Sequence, residues 1–271
     1  DLSEDCYRQM LGNPDNSLDS LAHQQLALSE LKASSSPDSP QATSAIHHLE
    51  QALLVNADDV VSHELLAQLF QARQDFESAI KHWEPVALQK PAVHLELARL
   101  YNKLDRQVMK AESATKAEKY YAEEIAKPAP PSGKLNEADS ENIRRSNLFL
   151  NLIESLVLQD KLDDAAKLAT DALDRSHSPE LRRRLASIYL MKANSLPATD
   201  ASWSKRWELV ALSRNYNPDA PESIAILANI AAKGLTLPEV MVKVSADVKA
   251  ATGSDQIPWQ QSSLRKPFYF T

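Results

Sequence analysis

The chain has 271 residues, of which 43% are hydrophobic and 25% are charged, as in ordinary globular proteins. Its net charge is −7, from 30 Lys and Arg against 37 Asp and Glu, and this balance argues against a general nucleic-acid binder. Only 4 Gly are present, and residues that favour helix, such as Ala, Leu, Glu and Gln, dominate most segments. The composition therefore predicts an all-α protein.

The compartment is weakly constrained by the sequence. No run of about 18 apolar residues occurs, so membrane insertion is not expected. The first ten residues, DLSEDCYRQM, lack the basic and apolar regions of a signal peptide, and the single cysteine, Cys6, makes an intramolecular disulfide impossible. The absence of an initiator Met is expected for a processed or excised chain, from which a targeting segment would also be lost. We leave the compartment open, with the cytoplasm slightly favoured.

Along the chain, apolar residues recur at helical spacing and are interrupted by breakers at short intervals. Residues 17–32 form the first such segment, and the Ser- and Pro-rich stretch ASSSPDSPQ separates it from the second. Residues 59–74 follow with the same pattern, and a fourth helical segment begins at Phe76 and ends at Pro91. No segment alternates with period two between Gly turns, so strands are not expected. The pattern predicts about a dozen short helices.

An internal repeat connects the second and fourth segments. Aligning SAIHHLEQALLVNADD with SAIKHWEPVALQKPAV places Ala45 on Ala79 and Leu49 on Trp83, an offset of 34 residues. A fixed period of this size indicates stacked helical hairpins, because each hairpin must bury its apolar face against a neighbour.

Residues 60–91 match the pattern of a known repeat family. Apolar residues, among them two alanines and three aromatic residues, lie at the family's positions in both helices, and a proline closes the second helix. They are Leu66, Ala67, Phe70, Phe76, Ala79, Trp83, Val86 and Pro91. This segment resembles the tetratricopeptide repeat (TPR). The resemblance implies an all-α fold, a right-handed α-solenoid of about six TPR-like helical hairpins.

Later segments match more loosely and suggest a division of the chain. The spacing from Ala98 to Ala117 exceeds that of the family, and Pro85 lies inside a predicted helix, where it should kink the helix or begin a shifted turn. The segment KPAPPSGKLNEAD interrupts the helical pattern. We therefore predict four parts: N-terminal repeats at 1–127, an exposed loop at 128–139, C-terminal repeats at 140–252, and a tail or cap at 253–271.

No motif for catalysis, a cofactor or a metal is evident. His47 and His48 are adjacent, so on a helix they point about 100° apart and cannot share an ion in the usual way. His63, His82 and His94 have no Cys or carboxylate at metal-ligand spacing. The sequence predicts exposed or hairpin-packed imidazoles, no metal, no cofactor and no enzymatic activity.

The resemblance also implies a binding surface. In the family's register, polar residues of the first helix of each hairpin face a concave groove. The corresponding residues here are Glu64, Gln68, Gln71, Arg99, Asn102, Lys103, Arg183, Ser187, Asn229 and Lys233. Their donors suit an extended peptide, although a solvated helix face remains the alternative. Arg99, Asn102, Lys103 and Arg183 are the strongest candidates for ligand contact.

These expectations define a function and its alternatives. We predict a non-catalytic scaffold or adaptor that binds a protein or peptide in the groove. The alternative is a helical regulatory or substrate-recruiting portion of a larger enzyme or assembly. Homo-oligomerisation through the solenoid ends or the C-terminal tail is a third possibility, since Phe268, Tyr269 and Phe270 either cap the last helix or insert into another copy.

Overall fold

The computed structural model describes residues 7, 11, 19–128, 135–176, 178–197 and 200–218. Within these residues the chain forms ten α-helices, a short 3-10 turn at Pro91–Val93 and no strand, which confirms the all-α expectation. The helices are α1 (Asp19–Ala33), α2 (Pro40–Val55), α3 (Val60–Ala72), α4 (Phe76–Gln89), α5 (His94–Lys103), α6 (Gln107–Ala126), α7 (Leu135–Leu158), α8 (Leu162–Arg175), α9 (Pro179–Ser195) and α10 (Asp200–Tyr216). In this part of the chain, no helix combines the length and apolar character needed to cross a membrane.

Several helices begin with a polar side chain that accepts a hydrogen bond from the first turn. The Ser39 hydroxyl accepts from the amide of Ala42 at 3.1 Å, and the Asp59 carboxylate accepts from the amide of Ser62 at 3.0 Å. Asp75 caps α4 and Ser178 caps α9 in the same way. Such caps satisfy amides that have no partner within the helix, so each helix start is encoded locally.

Three turns between successive helices share one backbone conformation. A residue other than glycine adopts a positive φ in each of them: Gln74 (61°), Asp105 (54°) and Asp160 (60°). In the first turn the amide of Asp75 donates to the carbonyl of Phe70 at 2.9 Å, which closes the end of α3. The same local device therefore links α3 to α4, α5 to α6 and α7 to α8, even where the sequence repeat is loose.

The chain divides into two compact units. The first comprises residues 1–128 and 154–160, and the second comprises residues 129–153 and 161–271. The helix α7 begins at Leu135, inside the range 128–139 that the sequence predicts to be a loop. The expected sixth hairpin and the tail at 253–271 lie outside the described residues.

The core of the first unit follows the repeat pattern. Ala67 and Ala79 are fully buried, and Trp83 is buried between them and the neighbouring helices of the cluster. Phe70 and Phe76 pack against this cluster from its edge. Small residues let α3 and α4 approach closely, and the large aromatic side chain fills the space beside them. This arrangement is the physical basis of the TPR-like hairpin.

The helix α4 continues from Phe76 to Gln89 across Pro85. A helix-internal proline removes one backbone hydrogen bond, but it does not begin a shifted turn here. Trp83 and Val86, on either side of Pro85, are buried. Their packing holds the helix together at the position where the local sequence weakens it.

The second unit has its own buried residues. Leu190 and Ala193 of α9 pack with Leu209 and Val210 of α10. The buried face of α8 is made of alanines at helical spacing: Ala165, Ala166, Ala169 and Ala172. Close helix packing over small residues is therefore common to both units.

Candidate functional site

The polar residues that the sequence places on α3 share one face of that helix, because they are spaced by three or four residues. The Glu64 carboxylate accepts a hydrogen bond from the Lys90 ammonium at 2.5 Å, and Gln71 accepts one from the indole of Trp83 at 3.2 Å. Gln68 is exposed. Two of the three predicted contact residues on α3 thus have partners inside the first unit.

Arg99 on α5 lies in an ion-pair network. Its guanidinium donates to both carboxylate oxygens of Glu154, at 2.8 and 2.7 Å, and also to Glu96. The hydrogen bonds to Glu154, and then the charges of the two carboxylates, hold the pKa of Arg99 above its usual range. Arg99 therefore has internal acceptors that the sequence does not reveal.

Asn102 and Lys103 lie at the end of α5, and both are exposed. The Lys103 ammonium lies 4.5 Å from the centroid of the Phe76 ring, a cation–π distance. These two residues, together with Gln68, are the exposed members of the predicted set in the first unit.

In the second unit, Arg183 on α9 is exposed and donates to Glu180 at 2.8 Å. Ser187 is half-buried one turn further along α9. Asn229 and Lys233 belong to the predicted set but lie outside the described residues.

The second unit also contains a cleft, here called the α7 cleft, with a volume of about 620 Å³. One wall is a face of α7 with Asn142, Ile143, Asn147 and Leu150, and the other is the connection from α8 to α9 together with Glu180 in the first turn of α9. Ile143 is 63% exposed, although it is a large apolar residue. The predicted set does not include these residues. The sequence signal that places Ile143, Asn147 and Leu150 on one face is their spacing of four and three residues.

In each of two successive hairpins, a histidine of the first helix contacts a histidine of the second helix. The Nδ1 atoms of His23 and His48 are 3.1 Å apart, and those of His63 and His82 are 2.9 Å apart. Burial, and then the nearby His63, lower the pKa of His82 to about 4, so its imidazole is neutral at pH 7. Burial and His48 also lower the pKa of His23. Nothing in the spacing of these residues predicts that they pair.

Among the residues that the structure describes, no group of three or more His, Cys, Asp or Glu side chains is placed to hold a metal ion. The histidine pairs therefore offer two imidazoles each, without a third ligand already in place.

Comparisons with known proteins supply the remaining evidence. No protein-family model matches the sequence. A search of the curated proteins finds no significant relative.

Solved structures do resemble the chain. YrrB, described as a TPR protein with an unusual peptide-binding site, is 11% identical, with coverage of 83% of this chain and 98% of that chain and a TM-score of 0.52. A TPR protein from Parabacteroides merdae is 12% identical, with coverage of 93% and 86% and a TM-score of 0.48. PilF of Pseudomonas aeruginosa is 14% identical, with coverage of 89% and 95% and a TM-score of 0.43. At these sequence identities only the fold can be compared. The conclusion rests on YrrB, whose TM-score of 0.52 is above 0.5. Together with the 34-residue period and the Ala67, Ala79 and Trp83 packing, the likeness to YrrB shows that the chain has a tetratricopeptide-repeat fold.

Proposed function

We propose that the chain is a non-catalytic scaffold or adaptor that binds a protein or peptide on the polar faces of its helical hairpins. The observation that carries the proposal is the α7 cleft, whose volume of about 620 Å³ falls in the range of ligand sites, roughly 300–1,000 Å³. The fold is also that of YrrB, which has a peptide-binding site.

The chemistry of the α7 cleft suits an extended peptide. Asn142 and Asn147 each offer an amide donor and an amide acceptor, the same pair of groups that a peptide backbone presents. Ile143 and Leu150 offer an apolar surface for one side chain of the ligand. Binding would remove the exposed part of Ile143 from water, which favours association.

In the first unit, the proposed contacts are the residues of the family's register. Gln68, Asn102 and Lys103 are exposed and can donate to a peptide carbonyl or carboxylate. Arg99 remains a proposed donor, but a ligand would have to compete with its bonds to Glu154. Glu64, Gln71, Arg183, Ser187, Asn229 and Lys233 complete the proposed set.

The test begins with selection of binding peptides from a random library on the purified chain. The affinity of a selected peptide is then measured by calorimetry for the chain and for a variant carrying Asn142→Ala and Asn147→Ala. Loss of two amide contacts, each worth about 1 kcal/mol, should weaken binding by about thirtyfold. Asn194→Ala is the matched control, because Asn194 is an exposed asparagine of the same unit that does not line the cleft.

A second variant, Asn102→Ala with Lys103→Glu, tests the first unit in the same assay. Arg99 is left intact, because its replacement would also break the ion pair with Glu154. The proposal fails if no peptide binds saturably, or if both double variants bind the selected peptides as tightly as the unchanged chain.

A further inference from the structure

The two histidine pairs have the same geometry in successive hairpins. His48 and His82 are separated by 34 residues, the period of the repeat, and each faces a histidine on the preceding helix. The ring centroids are 5.3 Å apart in the first pair and 5.2 Å apart in the second, with tilts of 39° and 43°. Each pair therefore joins the two helices of a hairpin through the same atoms.

The hydrogen bonding of His63 identifies which nitrogen carries a lone pair. Its Nε2 lies 3.0 Å from the carbonyl oxygen of Ala57, which can only accept, so Nε2 carries a proton and donates to that oxygen. The Nδ1 of His63 then has a lone pair and accepts a hydrogen bond from the Nδ1 of His82 at 2.9 Å, so an ion that binds both Nδ1 atoms requires the His82 proton to move to the Nε2 of that ring. A backbone carbonyl that accepts from the second ring nitrogen is also the usual support of a metal-bound histidine.

The distance between the two Nδ1 atoms is close to that of two ligands on one ion. Zinc–nitrogen bonds of about 2.0–2.1 Å at a tetrahedral angle place two nitrogens about 3.3 Å apart. The observed separations are 3.1 and 2.9 Å, so the rings need to separate by only a few tenths of an ångström. All four rings are partly exposed, which gives an ion access from solvent.

The surroundings of the rings are consistent with a fixed ligand pair. The Phe70 ring stacks on the His82 ring, with the ring centroids 5.6 Å apart and an interplanar angle of 4°. This contact restricts rotation of the His82 imidazole. Asp19 contributes a negative charge near His23, which favours a cation at the first pair, whereas Lys81 contributes a positive charge near His82.

From this geometry we propose that each histidine pair, His23 with His48 and His63 with His82, binds one divalent transition-metal ion of the zinc type through its two Nδ1 atoms. Imidazole nitrogen suits Zn²⁺. With two protein ligands, each ion keeps two positions for water or for a ligand from another molecule. This inference goes beyond the proposed peptide binding and does not depend on it.

The test is a calorimetric titration of the chelator-treated full chain with ZnCl₂. The expected stoichiometry is two ions per chain, one in His82→Gln and none in a variant with both His23→Gln and His82→Gln. His94→Gln is the matched control, because it removes an imidazole outside the two pairs and should retain both ions. Circular dichroism checks that each variant is helical.

A measurement on the unchanged chain covers the case in which a variant fails to fold. Imidazole ¹⁵N spectra recorded with and without Zn²⁺ should show metal-dependent shifts at Nδ1 of the four paired histidines. The proposal is overturned if no saturable site exists, if the shifts occur at other histidines, or if the paired variants retain the full stoichiometry. The last two results would indicate adventitious binding to surface imidazoles only.

Discussion

Replacement of Gln74 by glycine should stabilise the first unit. Gln74 ends the turn after α3 with φ at 61°, a left-handed conformation that costs about 1–2 kcal/mol for a residue with a Cβ. Glycine avoids that cost but loses about 0.5–1 kcal/mol more conformational entropy on folding. The midpoints of these two ranges predict a gain of about 0.7 kcal/mol in the free energy of unfolding, with an upper limit of about 1.5 kcal/mol.

The matched control is Gln68→Gly, which makes the same chemical change inside α3 at an exposed position. There the backbone is helical, so glycine should destabilise by about 1 kcal/mol. Asp105→Gly should give a smaller gain than Gln74→Gly, because aspartate tolerates the left-handed region better than glutamine does.

The assay is urea unfolding followed by circular dichroism, with the transition midpoint and slope compared between variants. The slope should not change, since the surface exposed on unfolding is the same. If Gln74→Gly and Gln68→Gly shifted the free energy of unfolding in the same direction, the explanation from backbone conformation would be wrong.

Three further predictions concern charge and packing. Because the pKa of His82 is lowered from 6.5 to about 4 by folding, its contribution is complete above pH 6.5 and should decrease as the pH falls towards 4. Linkage limits this loss in the free energy of unfolding to about 3.4 kcal/mol, and partial exposure of the ring reduces it to about 1–2 kcal/mol. Urea unfolding at several pH values, with a chelator present, should show this loss in the unchanged chain, and His82→Gln should lack it. A double-mutant cycle of Arg99→Gln and Glu154→Gln should give a coupling energy of about 1 kcal/mol that decreases with salt; a zero value would mean that the bidentate pair adds nothing to stability. Leu100→Ala should lower the free energy of unfolding by about 2–5 kcal/mol, measured by urea or thermal unfolding, because Leu100 is fully buried. Leu88→Ala is the control, since Leu88 is 86% exposed, and it should change the free energy by less than about 0.5 kcal/mol. Equal losses would refute the packing argument.

The helical hairpins and their register could be predicted from the sequence. The spacing of Ala67, Ala79 and Trp83 predicts which sides of α3 and α4 are buried, and the structure confirms it. These features depend on the side-chain period of a helix and on local caps such as Asp75. Both are properties of residues that are close in the chain, so a single sequence contains them.

The left-handed turns were less accessible to sequence reasoning. Glycine is the residue that normally indicates such a turn, but Gln74 and Asp160 adopt the conformation without it. The continuous helix across Pro85 is a second case, in which tertiary packing outweighs a local preference for a break.

By itself, the sequence determined the helical class, the 34-residue period and the buried side of the best-conforming hairpin. Only the tertiary structure decided the partners of the polar residues. Arg99 and Glu154 are 55 residues apart, and the histidine pairs and the α7 cleft likewise join residues from different helices. Periodicity shows which face of a helix is buried, but the distance between two polar atoms depends on how the helices pack, and a few tenths of an ångström separate a hydrogen bond from a metal site.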